Sequence, residues 1–127
     1  MAVSDDFRDF VLEQLVPAGR VTPRAMFGGV GLYLDGLFFA LVDDDTLYFK
    51  ADESTRPRYE KAGSKPFCPF PDRPGQQMGY WQVPAEVLED PDELAAWARE
   101  AMGVALAKRS AQSARRRAPA RRNRAQR

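Results

Sequence analysis

Two tight hairpins in one short block limit what this chain can become. Between Met26 and Glu53 the sequence runs MFGGVGLYLDGLFFALVDDDTLYFKADE, three apolar stretches separated by Asp35-Gly36 and by Asp43, Asp44 and Asp45. Both central residues of a type I′ turn need positive φ, which Asp tolerates and Gly permits freely, so Asp35-Gly36 predicts a two-residue hairpin. It sets Leu34 opposite Leu37, Tyr33 opposite Phe38 and Leu32 opposite Phe39. A three-residue loop at Asp43 to Asp45 then sets Leu41 opposite Leu47, Phe39 opposite Phe49, Ala40 opposite Tyr48 and Phe38 opposite Lys50.

Side chains alternate across a strand, so this register sorts them into two faces. One carries Val30, Leu32, Leu34, Leu37, Phe39, Leu41, Leu47 and Phe49; the other carries Gly31, Tyr33, Phe38, Ala40, Tyr48 and Lys50. The first is uniformly large and apolar and is expected to lie under helices, each buried side chain contributing about 1.5–3 kcal/mol. The second is aromatic but only partly apolar.

The flanks supply the helices. Ser4 is a good N-cap for Phe7, Phe10, Val11 and Leu15 at helical spacing, a pattern stopped by Pro17, Ala18 and Gly19. Val21 to Gly29 reads as a connection. Asp52 can cap a short helix running through Tyr59 and Lys61, with Gly63 as its left-handed terminator. Phe67 to Phe70 and Met78 to Val83 read as two short strands around the turn-rich CPFPDRPGQQ, with Trp81 expected in the core and Tyr80 on the aromatic face. Asp90, Pro91 and Glu93 open a long closing helix whose apolar stripe is Leu94, Trp97, Ala98, Ala101 and Ala105. The expected class is α+β: an antiparallel five-stranded sheet with helices on one face, in the order helix, three strands, helix, two strands, helix.

Charge divides the chain in two. Residues 1–107 hold all 18 acidic residues against ten basic ones, a net of −8, whereas residues 108–127 hold nine basic and none acidic. The first part is expected to be the folded domain. The second, made mostly of Ala, Arg, Ser and Gln without large apolar residues, is expected to be disordered on its own.

Chemistry is narrowed by what the sequence omits. It contains no His and one Cys, Cys68, so it has no imidazole base, no zinc-type ligand set and no internal disulfide. Neither catalytic, cofactor-binding nor metal-binding residues are expected. No stretch approaches the roughly 20 apolar residues of a membrane span and no signal-peptide pattern opens the chain, so the expected compartment is the cytoplasm, with no membrane partner.

Several features invite sharper readings. Gly28, Gly29 and Gly31 suggest a phosphate loop, but such loops follow a strand and open a helix, whereas these glycines precede a strand and suit close strand packing. Asp43 to Asp45 lack the alternating spacing of a calcium loop and fit turn chemistry. Asp52 and Glu53 fit a helix start better than an acid/base pair, and Cys68 has no neighbouring cation to activate it and is read as packing. Tyr33, Phe38, Tyr48 and Tyr80, with Lys50 beside them, are the richest constellation: they suit a protein or dimer interface, a half-wetted sheet, or a platform for single-stranded bases. The body's negative charge opposes the last. In the tail, Arg115, Arg116, Arg117, Arg121, Arg122 and Arg124 can neutralise phosphates of DNA or RNA without reading sequence, or fold back on the acidic body.

The hairpin block, Pro66-Phe67, GYWQVP at Gly79 to Pro84 and LEDPDELAAWAREA at Leu88 to Ala101 together resemble the N-terminal domain of the TfoX/Sxy competence regulators over nearly the whole chain except the tail. That resemblance implies an α+β fold related to secretion-chaperone-like and YgaC-like proteins, and a regulatory rather than catalytic role. Full regulators carry a second, helical domain where this sequence has its Arg-rich tail, so a stand-alone accessory role is as consistent with the resemblance as competence control. The expected function is a non-enzymatic regulatory or protein-binding domain whose partners are a second copy, a regulatory protein, or nucleic acid held by the tail. The alternative is a small enzyme or ligand-binding domain using Met26 to Tyr33, which a cleft collecting Arg24, Asp52 and Glu53 would favour.

Overall fold

The computed structural model describes residues 3–26, 29–67 and 79–125. Its elements run α1 (Asp5–Gln14), a 3-10 turn (Val16–Ala18), β1 (Val21–Met26), β2 (Gly29–Leu34), β3 (Leu37–Asp43), β4 (Thr46–Lys50), α2 (Arg56–Lys61), β5 (Tyr80–Gln82), α3 (Ala85–Leu88) and α4 (Pro91–Ala125). The five strands form one antiparallel sheet in chain order, and α4 lies across β3 and β4. The class is the expected one, α+β with helices over one sheet face.

Local chemistry sets the boundaries. Ser4 Oγ accepts the Phe7 N–H at 3.1 Å to cap α1, and Asp90 Oδ1 accepts the N–H groups of Asp92 and Glu93 to cap α4. Asp52 caps the turn ahead of α2 rather than the helix itself, accepting the Ser54 and Thr55 N–H groups at 2.9 and 3.1 Å. Pro57 falls in the first turn of α2, where a missing N–H is tolerated. The closing helix is longer than its apolar stripe predicts, because the backbone of residues 108–125 continues it. Ala and Arg both favour helix.

One strand lies where the sequence predicts a connection. Val21–Met26 pairs with β2 from Val21 opposite Leu34 to Met26 opposite Gly29. Pro23 and Arg24 break the strand pattern, yet β1 is an edge strand, the one place in a sheet where a proline fits. The order is therefore helix, four strands, helix, one strand, two helices. At the other edge, Pro66 makes a single bridge to Trp81 and the Phe67 N–H donates to the Tyr80 carbonyl at 2.7 Å. The rest of the strand expected there, and Cys68 with it, lies outside the described residues.

The meander departs from the expected register at two points. Asp35 and Gly36 have φ of 52° and 79°, as a type I′ turn requires, and Leu34 faces Leu37. Beyond Tyr33 opposite Phe38, however, Leu32 faces Ala40, so Phe39 is an extra residue in β3. Such a bulge puts two consecutive side chains toward one face, and Phe39 and Ala40 are both fully buried. Downstream the alternation is inverted: Val42 enters the core and Leu41 moves to the other face, opposite Tyr48. The second hairpin then turns on two residues, since Asp44 and Asp45 both have positive φ and Asp43 pairs with Thr46. The Asp45 carboxylate accepts the Ser4 N–H at 2.8 Å and so ties this turn to the start of α1.

Beneath the helices the core joins Val11 of α1 and Leu15 at its C-terminal cap to Leu32, Phe39, Val42, Leu47 and Phe49 of the sheet, and to Leu94, Trp97, Ala98 and Ala101 of α4. Trp81 packs against this cluster opposite Phe49 while keeping part of its surface exposed. Tyr59 fills the gap between α2 and α4, its ring 5.0 Å from Trp97 in an edge-on arrangement, and the Arg58 guanidinium covers the same indole and pairs with Glu100 at 3.3 Å.

Candidate interaction face

The side of the sheet away from the helices is built from alternate residues of all five strands. Tyr33 of β2 and Phe38 of β3 are cross-strand partners, and their rings stack at 5.1 Å with 23° between planes. Phe38 in turn meets Tyr80 of β5 at 5.6 Å, so three aromatic rings form one row. A cation closes each end: the Arg24 guanidinium lies 5.4 Å from the Tyr33 ring centre and the Lys50 ammonium 4.6 Å from that of Tyr80. Lys50 also donates to Tyr80 Oη at 3.2 Å.

Tyr48 stands apart from this row. Its ring packs edge-on against Phe67 at 4.9 Å. Of the four aromatic residues singled out from the sequence, the structure joins Tyr33, Phe38 and Tyr80 and gives Tyr48 a different neighbour. Two members of the face were missed. Leu41 arrives through the bulge, which has no sequence marker, and Arg24 through β1, whose alternation Pro23 obscures.

Burial on this face is uneven. Tyr33, Phe38, Tyr48 and Lys50 are half-buried, while Tyr80 and Leu41 are buried. Burial, with the Tyr33 hydroxyl beside it, pushes the Tyr80 phenol up to about 12, so Tyr80 remains a neutral acceptor for Lys50. Burial and then the Asp43 carboxylate push Tyr48 up as well. Lys50 moves the other way, lowered first by its own burial and then by the Lys108 charge.

The remaining candidates serve structure or lie elsewhere. A Cβ on Gly29 would come within 2.6 Å of the Val42 carbonyl oxygen, so this glycine permits the close approach of β2 and β3. Asp52 and Glu53 line a cavity of about 270 Å³ at the end of β4, but Arg24 is not part of it; it sits on the outer face against Tyr33. The Asp52 carboxylate is engaged by Ser54 and Thr55, and the Ser54 hydroxyl above all holds it below the usual range. Gly28 lies outside the described residues, as do the side chains of the tail arginines Arg115, Arg116, Arg117, Arg121, Arg122 and Arg124. Among the described residues, no helix is long and apolar enough to cross a membrane.

Comparison with known proteins agrees with this architecture. The family model for the TfoX N-terminal domain matches residues 13–105. DNA transformation protein TfoX1 of Aliivibrio fischeri (strain ATCC 700601 / ES114) is 32% identical over 84 residues, covering 66% of this chain and 40% of that protein. The matched span runs from the end of α1 through the whole sheet to Ala105, the last core residue of α4, and the chain belongs to the TfoX N-terminal domain family.

Proposed function

We propose that this chain is a non-enzymatic, competence-related regulatory domain of the cytoplasm that works by protein contact, and that it pairs with a second copy of itself through the outer face of its sheet. The observation that carries the proposal is the row Tyr33–Phe38–Tyr80, bracketed by Arg24 and Lys50. Tyrosine and arginine dominate the energetics of protein interfaces because they bury large area while keeping a polar end. The inner face already supplies the main core cluster, and Tyr33 and Phe38 keep part of their surface exposed. The name of the Aliivibrio relative supports a connection with DNA transformation.

Light scattering tests the proposal. Wild type is expected to be a dimer, and Tyr33→Glu combined with Phe38→Glu a folded monomer. A wild-type monomer at high concentration rules out self-pairing and leaves a different regulatory protein as the partner to seek.

The tail supports a second, separable contact. Nine cations and no aromatic residue from Lys108 onward favour phosphate neutralisation without base readout. Fluorescence anisotropy with two unrelated duplexes is expected to show binding that weakens with salt, ignores sequence and disappears on truncation at Ala107. Binding retained by the truncated form places recognition on the acidic body instead.

A further inference from the structure

We propose that the cavity between the end of β4 and α4 is a binding site for the phosphoryl group of a small phosphomonoester, held between Lys50 and Lys108 with Trp81 as its apolar wall. Three cationic residues from three elements line it: Lys50 from β4, whose ammonium also donates to Tyr80 Oη at 3.2 Å, Arg56 from α2 and Lys108 from α4. Neither lysine has an ion-pair partner among the described residues. Arg56 has only a long contact, 3.9 Å, to Glu60 on its own helix.

Such a grouping is unexpected in a body with eight more acidic than basic residues, where carboxylates are the cheapest means of neutralising a half-buried cation. The nearest candidate, Asp52, turns its carboxylate to Ser54 and Thr55. Glu53, also on the lining, makes no ion pair with either lysine. Lys50 and Lys108 therefore repel one another across the cavity, and the lowered Lys50 ammonium registers that repulsion after its own burial. A doubly charged oxyanion seated between them would reverse the sign of the interaction and accept charge-assisted hydrogen bonds from both. The volume of about 270 Å³ suits a molecule of nucleotide size and excludes a folded partner. The site shares Lys50 with the outer aromatic row, whereas Arg56, Trp81 and Lys108 take no part in that row, so ligand-induced stabilisation and light scattering read the two proposals separately.

Thermal unfolding of the full chain tests it, with inorganic phosphate, adenosine monophosphate and adenosine as probes. Phosphate and the nucleotide are expected to raise the melting midpoint in a saturable way, because a ligand that binds only the folded state stabilises it, and adenosine to leave it unchanged. The stronger of the two active probes distinguishes free phosphate from an organic ester. Lys108→Met is expected to weaken the effect roughly tenfold or more without lowering the midpoint of the ligand-free protein. Arg115→Met, a tail change of equal charge, is expected to leave it intact. The proposal fails if neither probe shifts the midpoint by ~10 mM, a concentration already beyond useful affinity, if Lys108→Met responds as wild type does, or if Arg115→Met is equally impaired.

Discussion

The two faces of the sheet use the same strands and comparable aromatic content to opposite ends. On the inner face Phe39 and Phe49 are fully buried 5.8 Å apart among leucines, valines and small helix residues. On the outer face the rings belong mostly to tyrosines and end on cations, and Tyr33, Phe38 and Tyr48 keep part of their surface in solvent while Tyr80 is buried. Apolarity alone does not separate the two faces. The separation comes from polar atoms at the ring tips, which let the outer face exist wet or dry.

The sharpest way to break this comparison is to truncate a neighbouring pair. Phe39→Ala is expected to cost about 3–5 kcal/mol in denaturant unfolding, since it empties a site sealed beneath α4, whereas Phe38→Ala one residue away is expected to cost about 1 kcal/mol. Equal losses would mean that the outer row is a second core. The sheet shared by both faces is probed by Gly29→Ala, which forces a methyl against the Val42 carbonyl and is expected to cost about 1–3 kcal/mol. Gly36→Val acts only on the turn, where a β-branched residue resists positive φ, and is expected to cost about 1 kcal/mol or more. An unchanged melting midpoint for that variant would contradict the turn.

Alkaline titration gives the smallest and most selective contrast. Tyr80 on the outer face and Tyr59 of α2 in the core are both raised, chiefly by burial, above the ordinary 10.0. A phenol that stays protonated in the fold but ionises freely when unfolded contributes stability that is complete below pH 10 and is lost as pH rises through the folded value, near 12 for Tyr80. Phenolate absorbance is expected to lag for both tyrosines. If Tyr80 instead titrates near 10.0, the outer face is wetter than its packing implies.

How much of this could be read beforehand depended on local marks. Asp35-Gly36 was legible because few dipeptides accept two positive φ angles, and it placed Tyr33 opposite Phe38 correctly. The bulge at Phe39 was not, because Leu37 to Val42 is continuously apolar and offers no polar residue to reveal which side each position faces. Nor do three consecutive aspartates show which two take the turn. The two departures cancel in β4: the bulge adds a residue before the second hairpin and the shorter turn removes one. Tyr48 and Phe49 therefore return to their expected sides, and only Leu41 and Ala40 exchange places. The aromatic row is legible in the sequence because two of its members precede the bulge; its cationic cap Arg24 is not, because Pro23 hides the strand.

Pro23 has a consequence for growth into polymers. A sheet propagates between molecules only where an edge offers an unbroken row of donors and acceptors. The proline removes a donor from β1 at one edge. At the other, the Gln82 N–H already donates to Lys65 and the Tyr80 carbonyl already accepts from Phe67. With both rims blunted, strand-by-strand fibre growth is disfavoured, and association through the flat of the sheet, the same patch on each partner, yields a closed pair that consumes its own surface.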